Sequence, residues 1–457
     1  MIVVSHRGPY TFRRSDNGSF SATRGAGGVV SALGPLLLTP DSPHAAWVAA
    51  AIGPGDRAAA AEGVATAPGV DLRYLVLDER AHRLHYDVIS NGLLWFLHHG
   101  LFDLPRRPRI DAHCYEAWDA YVAINHEFAE AALDAATDHP GPVLVQDYQL
   151  ALVPGMIRAQ RPDLAVAHFT HTPFCGPNSI RVLPDAWARE LCSSMASAPA
   201  GFHADRWRDA FVASTRTALG PSVAPDTFVA PLGADVDALR AVRDSERARA
   251  AEVWVDEIKG DRTLIVRADR IELSKNIVRG FLAYDQLLDQ RPEWRERVVF
   301  LAMLYTSRQG LPDYRAYEQE IRDVAARINE RWGTSSWQPI VIDTRDDFAR
   351  SVAALTRYDV LVVNPLKDGL NLVALEGVIL NERNGVLCLS PEAGAWDLLS
   401  SAAIAMHPYD LVAASDALTT ALDLDPDGRA TRAQQLRYLA LTRDPSKWLD
   451  ELVAHAR

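Results

Sequence analysis

The stretch 364–376 reads Asn-Pro-Leu-Lys-Asp-Gly-Leu-Asn-Leu-Val-Ala-Leu-Glu and follows an apolar run, the pattern of a strand that turns into a helix. A glycine in such a turn lets backbone amides approach an anion, and the helix N-terminus adds about half a positive charge there. Lys367 supplies a full charge. Asp368 and Glu376 are carboxylates two helical turns apart, suited to accepting from sugar hydroxyls and from a ribose. Together these groups fit a nucleotide-sugar. An ordinary strand-turn-helix junction with capping residues has the same pattern.

Arg270-Ile271-Glu272-Leu273-Ser274-Lys275-Asn276 also follows an apolar run. When a sugar bond to a nucleoside diphosphate breaks, charge grows on the leaving phosphate, and an arginine with a lysine at that place stabilises it. Lysine occurs at 259, 275, 367 and 447 alone among 47 basic residues, and two of the four fall in these two segments. Solvated loop cations are the plain alternative. Gln146-Asp147-Tyr148-Gln149 and the stretch from His168 to Phe174 each end an apolar run, offering a carboxylate and the imidazole of His171 to sugar hydroxyls or to a proton. Caps and turn formers have that composition too, and His168 fits a structural place in its strand. Ser5-His6-Arg7, the glycine turn Gly25-Ala26-Gly27-Gly28, His85-Tyr86 and Leu94-Trp95 add an arginine fork and aromatic rings with polar tips, groups that suit a phosphorylated acceptor.

Residues this far apart need a scaffold whose loops converge. Apolar runs at 2–5, 45–50, 72–77, 143–146, 165–170, 227–230, 264–267, 298–303, 340–342, 360–363 and 385–389 alternate with helical patterns that include 115–136, 277–290, 314–332 and 348–356. That alternation predicts an α/β fold with parallel strands and crossover helices. Two such series predict two doubly wound domains, 1–234 and 235–440, followed by a helical segment 441–457 with the N-terminal domain as its expected seat. Ligands then belong at the carboxyl ends of the strands, in a cleft between the halves.

The chain has 457 residues, too many for one ordinary core, with 48% hydrophobic and 23% charged residues, the balance of a folded protein. A formal charge of −12 argues against nucleic acid as a partner, so any anion must be held by a local cluster of cations. No apolar stretch of about 20 residues or secretory leader is evident, so no membrane partner is expected. Cys114, Cys175, Cys192 and Cys388 show neither paired nor metal-ligand spacing, which predicts a reduced, cytoplasmic protein without a metal site.

With these residues in view, the chain resembles the trehalose-6-phosphate synthase family of retaining glucosyltransferases, glycosyltransferase family 20. The likeness runs in order over nearly the whole chain: the opening Val3-Val4-Ser5 with Arg7, the glycine turn, Ser90-Asn91 before Leu94-Trp95, Asp147-Tyr148, His171-Thr172-Pro173-Phe174, Arg270 with Lys275, Thr306-Ser307-Arg308, and Asp368 through Glu376. The resemblance implies a GT-B fold, two Rossmann-like domains facing across a cleft, with no metal and no cofactor. It implies that Arg7, Tyr86, Trp95 and Arg308 hold the acceptor phosphate and that Gly27 and Gly28 line the donor and acceptor sites. Asp147 would face the acceptor sugar, His171 and Asp368 the donor glucose, Arg270 and Lys275 the diphosphate, and Glu376 the ribose. Gly369, Leu370, Asn371, Leu372 and Val373 complete the donor-binding segment.

The chain departs from the family pattern at Trp47-Val48-Ala49-Ala50, where a second Trp is common, at Gln146 and Gln149, where His is usual, and at Asn276, where Gly is usual. Related pseudo-glycosyltransferases that couple a nucleotide-cyclitol to an aminocyclitol phosphate depart in similar ways and supply the alternative reading. The loop Asp343-Thr344-Arg345-Asp346-Asp347 follows an apolar run, and because a carboxylate accepts from guanine N1 and N2, it favours GDP-glucose over UDP-glucose. The expected partners are thus a nucleotide-sugar and a sugar phosphate, with glucose 6-phosphate as acceptor and α,α-trehalose 6-phosphate as product; a homo-oligomer is left open. A catalytically silent sugar-phosphate sensor would have lost the diphosphate cations or the sugar carboxylates, and Arg270, Lys275, Asp368 and Glu376 are all present.

Overall fold

The structure, a computed structural model, describes residues 1–25, 28–38 and 45–457. The chain forms two units, Met1–Leu232 with Pro445–Arg457, and Gly233–Asp444. In the first, the strands are β1 (Ile2–Arg7), β2 (Tyr10–Arg14), β3 (Phe20–Arg24), β4 (Ala45–Ala50), β5 (Val70–Leu75), β6 (Val143–Gln146), β7 (Val166–Thr170), β8 (Ala200–Phe202) and β9 (Thr227–Val229). Seven of them form one sheet in the order β5-β4-β1-β6-β7-β8-β9, parallel throughout. The sheet reverses its winding between β1 and β6, and at such a switch point the loops diverge and leave a crevice for ligands.

The second unit repeats the plan with β10 (Thr263–Arg270), β11 (Val298–Tyr305), β12 (Ile340–Asp343), β13 (Val360–Val363), β14 (Val386–Leu389) and β15 (Ile404–Ala405). Their order is β12-β11-β10-β13-β14-β15, so this sheet switches between β10 and β13. Strands β4, β6, β13 and β14 are buried along their whole length, as helices packed on both faces of a parallel sheet require. One core gathers around Ile124, Phe128, Val143 and Val166, the other around Phe281, Tyr284, Phe300 and Ile328.

Strands at 45–50, 143–146 and 360–363 and the helix at 277–290 coincide with the expected limits. Strand β10 runs three residues past the expected end at 267 because two charges inside it neutralise each other: Arg267 Nη2 lies 2.8 Å from Asp269 Oδ2, both buried. β2 and β3 form an exposed antiparallel hairpin that the search for apolar runs passes over. Its turn nonetheless carries the Asn-Gly signal, with Gly18 at φ 85°. Segment Pro445–His455 is a helix of the first unit. At the boundary, a Cβ on Gly233 would lie 2.3 Å from the backbone of Arg443, so glycine is what lets the two linking segments pass backbone to backbone.

Candidate functional site

In the second unit, both strands at the switch point end in the segments that carry cations and carboxylates. Arg270 is the last residue of β10, and residues 364–371 follow β13. The two loops are bound to each other: the Leu366 N–H donates to the Ser274 carbonyl at 2.8 Å, and Asn276 Nδ2 donates to the carbonyls of Asn364 at 3.1 Å and Pro408 at 2.7 Å. This fastening sets Lys275 Nζ 2.6 Å from Asp368 Oδ2, with both side chains mostly buried. Burial opposes the ammonium, but Asp368 and Asp269 outweigh it and hold the Lys275 pKa above its ordinary value. Asp368 also accepts from Asn371 Nδ2 at 3.1 Å. A lysine and a carboxylate thus stand at the mouth of the crevice, with Arg270, 43% exposed at its side chain, beside them.

The helix of segment 367–376 is Leu372–Leu380, so Asp368 lies in the loop before it rather than on a helical face shared with Glu376. The residue in the left-handed region is Asn371, at φ 78°, not Gly369. Asn371 caps the helix by accepting from the Ala374 N–H at 3.3 Å, which leaves the Leu372 and Val373 amides at the N-terminus that the macrodipole makes positive. Leu370 is buried beneath the turn. Glu376 is half-buried, and desolvation pushes its carboxyl up to about 7. Asn276, where glycine was expected, sits at φ 58°, ψ 39°. That is the left-handed conformation glycine adopts freely and asparagine tolerates best among the others, and its amide gains two hydrogen bonds glycine cannot make.

Arg308 is held in the same unit: Nη1 donates to the Tyr314 hydroxyl at 2.6 Å and lies 3.6 Å from Glu272 Oε1. Asp343 is the carboxylate expected to face the base. It ends β12 but is buried, and both of its oxygens are engaged, Oδ1 by Arg345 Nε at 2.8 Å and Oδ2 by Arg350 Nη2 at 2.6 Å. Although burial would raise it, these guanidinium groups hold its carboxyl below the usual range. Asp347 likewise caps the helix Phe348–Arg357 and pairs with Arg247. Two of the three carboxylates in the loop expected to meet a guanine, Asp343 and Asp347, are therefore engaged within the protein.

In the first unit, Arg7 ends β1 and Asp147 follows β6, again across the switch point. Asp147 adopts φ 71°, ψ 171°, a strained conformation for a residue with a side chain. Its N–H donates to the Phe169 carbonyl at 2.7 Å and its carbonyl accepts from His168 Nε2 at 3.1 Å, which gives His168 its structural role. Oδ1 accepts from the His171 N–H at 3.2 Å, so the two residues are brought together. The His171 ring is fixed by a chain of hydrogen bonds that defines its tautomer. The Leu232 N–H donates to His203 Nδ1 at 3.3 Å, so His203 Nε2 carries a hydrogen and donates to His171 Nδ1 at 3.1 Å; His171 Nε2–H then donates to Gln146 Oε1 at 3.0 Å. Burial, His203 and His168 hold His171 well below its ordinary pKa, so it is a neutral donor and not an acid-base group near neutral pH. Trp448, on the helix Pro445–His455, packs against Phe169 and His171 at ring separations of 5.3 and 5.6 Å.

Arg7 Nη2 donates to the Tyr86 hydroxyl at 3.2 Å, and Tyr86 stacks on His6 at 4.6 Å. Tyr86 sits in a π-helix, Leu84–Leu94, a widened turn that recurs at functional sites. Trp95 is 7% exposed, stacked on His99 at 3.9 Å, and so serves packing first. Trp47 is core, its Nε1 donating to Ser5 Oγ. Gly28 opens the helix Gly28–Leu37, whereas Gly27 lies outside the described residues. Glu272, Gln146, His203 and Trp448 carry no role in the sequence reading. Glu272 stood in plain view between Arg270 and Lys275, but its burial was not visible there. Among the described residues no group of His, Cys, Asp or Glu is placed to hold a metal ion, and no helix is long and apolar enough to cross a membrane.

Two Rossmann-like halves, each with polar residues at its switch point, match the GT-B architecture. The model of glycosyltransferase family 20 matches residues 1–457, and the chain belongs to that family. It is 31% identical over 472 residues to a trehalose-6-phosphate synthase of Mycobacterium sp. (strain KMS), covering 98% of this chain and 93% of that one. It is 28% identical over 466 residues to a UDP-forming alpha,alpha-trehalose-phosphate synthase A of Dictyostelium discoideum, covering 98% of this chain and 61% of that one. Among solved structures, the UDP-forming alpha,alpha-trehalose-phosphate synthase of Burkholderia vietnamiensis superposes with a TM-score of 0.82 at 27% identity, covering 99% of this chain and 98% of that one.

Proposed function

We propose that this glycosyltransferase moves glucose from a nucleotide-glucose to glucose 6-phosphate, forming α,α-trehalose 6-phosphate with retention at the anomeric carbon. The observation that carries the reading is the Lys275–Asp368 pair at the β10/β13 switch point, with Arg270 at its side. As the bond from glucose C1 to the diphosphate oxygen breaks, negative charge accumulates on that oxygen, where Arg270 and Lys275 stabilise it more than they stabilise the ground state. Asp368 accepts from donor glucose hydroxyls, His171 faces the donor glucose as a neutral ring held in place by His203 and Gln146, and Asp147 accepts from the acceptor sugar. The departing phosphate takes the proton of the acceptor hydroxyl as that oxygen bonds to C1 on the same face, so no enzyme nucleophile is required. Arg7 with Tyr86 in the first unit and Arg308 in the second supply donors to the acceptor phosphate. Glu376 takes the ribose hydroxyls, and the Leu372 and Val373 amides face the diphosphate.

For the base we favour uracil over guanine. The argument for guanine needed open carboxylates in the loop Asp343-Thr344-Arg345-Asp346-Asp347, and Asp343 and Asp347 are engaged by arginines; the Dictyostelium and Burkholderia relatives are UDP-forming by name. Initial rates with glucose 6-phosphate and either UDP-glucose or GDP-glucose test this. A kcat/KM at least about tenfold higher for UDP-glucose is expected, and a preference for GDP-glucose would return the base to guanine.

A further inference from the structure

We infer that Glu272 is a positioning residue that divides its charge between the diphosphate arginine and the acceptor-phosphate arginine, making Arg308 a determinant of donor binding as well as of acceptor binding. The inference rests on the functional reading above, which assigns Arg270 and Arg308 to different phosphates. Strands β10 and β11 are paired in register to their last residues, Arg270 beside Tyr305, and the Ile271 N–H donates to the Tyr305 carbonyl at 2.8 Å. Their two loops therefore leave the sheet side by side. The Glu272 side chain turns back between them and is wholly buried. Its Oε1 accepts from Ser307 Oγ at 3.1 Å and lies 3.2 Å from Arg270 Nε and 3.6 Å from Arg308 Nη1.

A carboxylate removed from water persists as an anion only through such partners, and what one partner does not neutralise falls to the others. The two arginines differ in freedom. Arg308 is 10% exposed at its side chain, has its backbone at φ 48° and is tied by Nη1 to the buried hydroxyl of Tyr314, whereas the Arg270 side chain is 43% exposed. The more exposed partner is the one placed for the diphosphate. While Arg308 carries part of the Glu272 charge, Arg270 is released toward the diphosphate; without Arg308, Glu272 draws Arg270 inward. The two phosphate-binding cations are coupled through one carboxylate, and such coupling acts in both directions.

The test is the affinity of UDP, and of GDP in parallel, measured by calorimetry for the unaltered chain, Arg308→Ala, Glu272→Gln and the double variant. Arg308→Ala is expected to weaken nucleoside diphosphate binding about tenfold when Glu272 is present and by less than about twofold in the Glu272→Gln background. A purely structural role for Glu272 would lower the melting temperature and leave the loss caused by Arg308→Ala equal in both backgrounds; that equality, or no loss in either, overturns the inference. If Glu272→Gln does not fold, Ser307→Ala, which removes the hydroxyl steadying the carboxylate, is the background expected to shrink the Arg308→Ala loss, and an unchanged loss there overturns the inference equally. Failure of the unaltered chain to bind either nucleotide would overturn the functional reading and this inference with it, whereas binding with equal losses overturns the inference alone.

Discussion

Glu376 has no side-chain hydrogen bond or ion pair among the described residues, and desolvation raises its carboxyl to about 7 from 4.5. A carboxyl whose folded pKa is raised binds more protons in the folded than in the unfolded chain between those two values, so stability falls as pH rises from about 4.5 through 7. The fall is at most about 3 kcal/mol, and less because the side chain is partly exposed. Denaturant unfolding from pH 5 to 8 is expected to show a shallower decline for Glu376→Gln than for the unaltered chain; matching slopes would mean that Glu376 does not carry the effect. Ribose hydroxyls that donate to this carboxylate favour its ionised form, so nucleotide binding near about pH 6.5 should release a proton. The companion carboxylate Asp368 behaves differently, since Lys275 at 2.6 Å already compensates it. Of the two carboxylates in one short segment, one is thus paired with a lysine and the other is not. Their presence was legible in the sequence, but their division of labour was not, because it depends on a lysine 93 positions away in the chain.

At the level of elements, the left-handed turns at Asn276 and Asn371 set the two loops of the second switch point. Asn276→Ala keeps neither the conformation nor the two hydrogen bonds to Asn364 and Pro408 and should cost about 2–3 kcal/mol, whereas Asn276→Gly recovers the backbone and should cost about 1 kcal/mol. Chemical denaturation of the two variants checks the ranking, which an equal loss in both would contradict. Fully buried strands such as β6 and β13 could be read from the sequence because helices cover both faces and the residues are apolar but for Gln146 at the end of β6. The ends of β10 could not, since Arg267 and Asp269 look exposed until they are seen to neutralise each other. β15, two residues long, falls below the length at which an apolar run stands out, and β8, Ala200–Phe202, has a glycine at its centre that breaks the apolar pattern. The departure from the family pattern at Asn276 is a left-handed turn with additional hydrogen bonds.

Across the whole molecule, the same plan appears twice: a parallel sheet that switches winding, with candidate residues such as Arg7 and Asp147 in one unit and Arg270 and Asp368 in the other following the strands that flank the switch. Each unit also fixes its polar residues before any ligand arrives, through the hydrogen-bond chain from Leu232 to Gln146 in one and the Glu272 cluster in the other. Such preorganisation places donors and charges where reaction charge will develop and removes the cost of arranging them during the reaction. The alternation of apolar runs with helical patterns carried the fold class, and several of the motifs, among them Arg7, Asp147 and Arg270, sit at or just past strand ends. The most direct test of the account is the identity of the product. The chain is incubated with UDP-glucose and glucose 6-phosphate, and the sugar phosphate formed is characterised by mass spectrometry and by NMR of its anomeric positions. The account predicts one hexosyl added to glucose 6-phosphate, both anomeric carbons in the α configuration and no reducing end. A β linkage, a product that keeps a reducing end, or release of UDP without transfer to glucose 6-phosphate would contradict it.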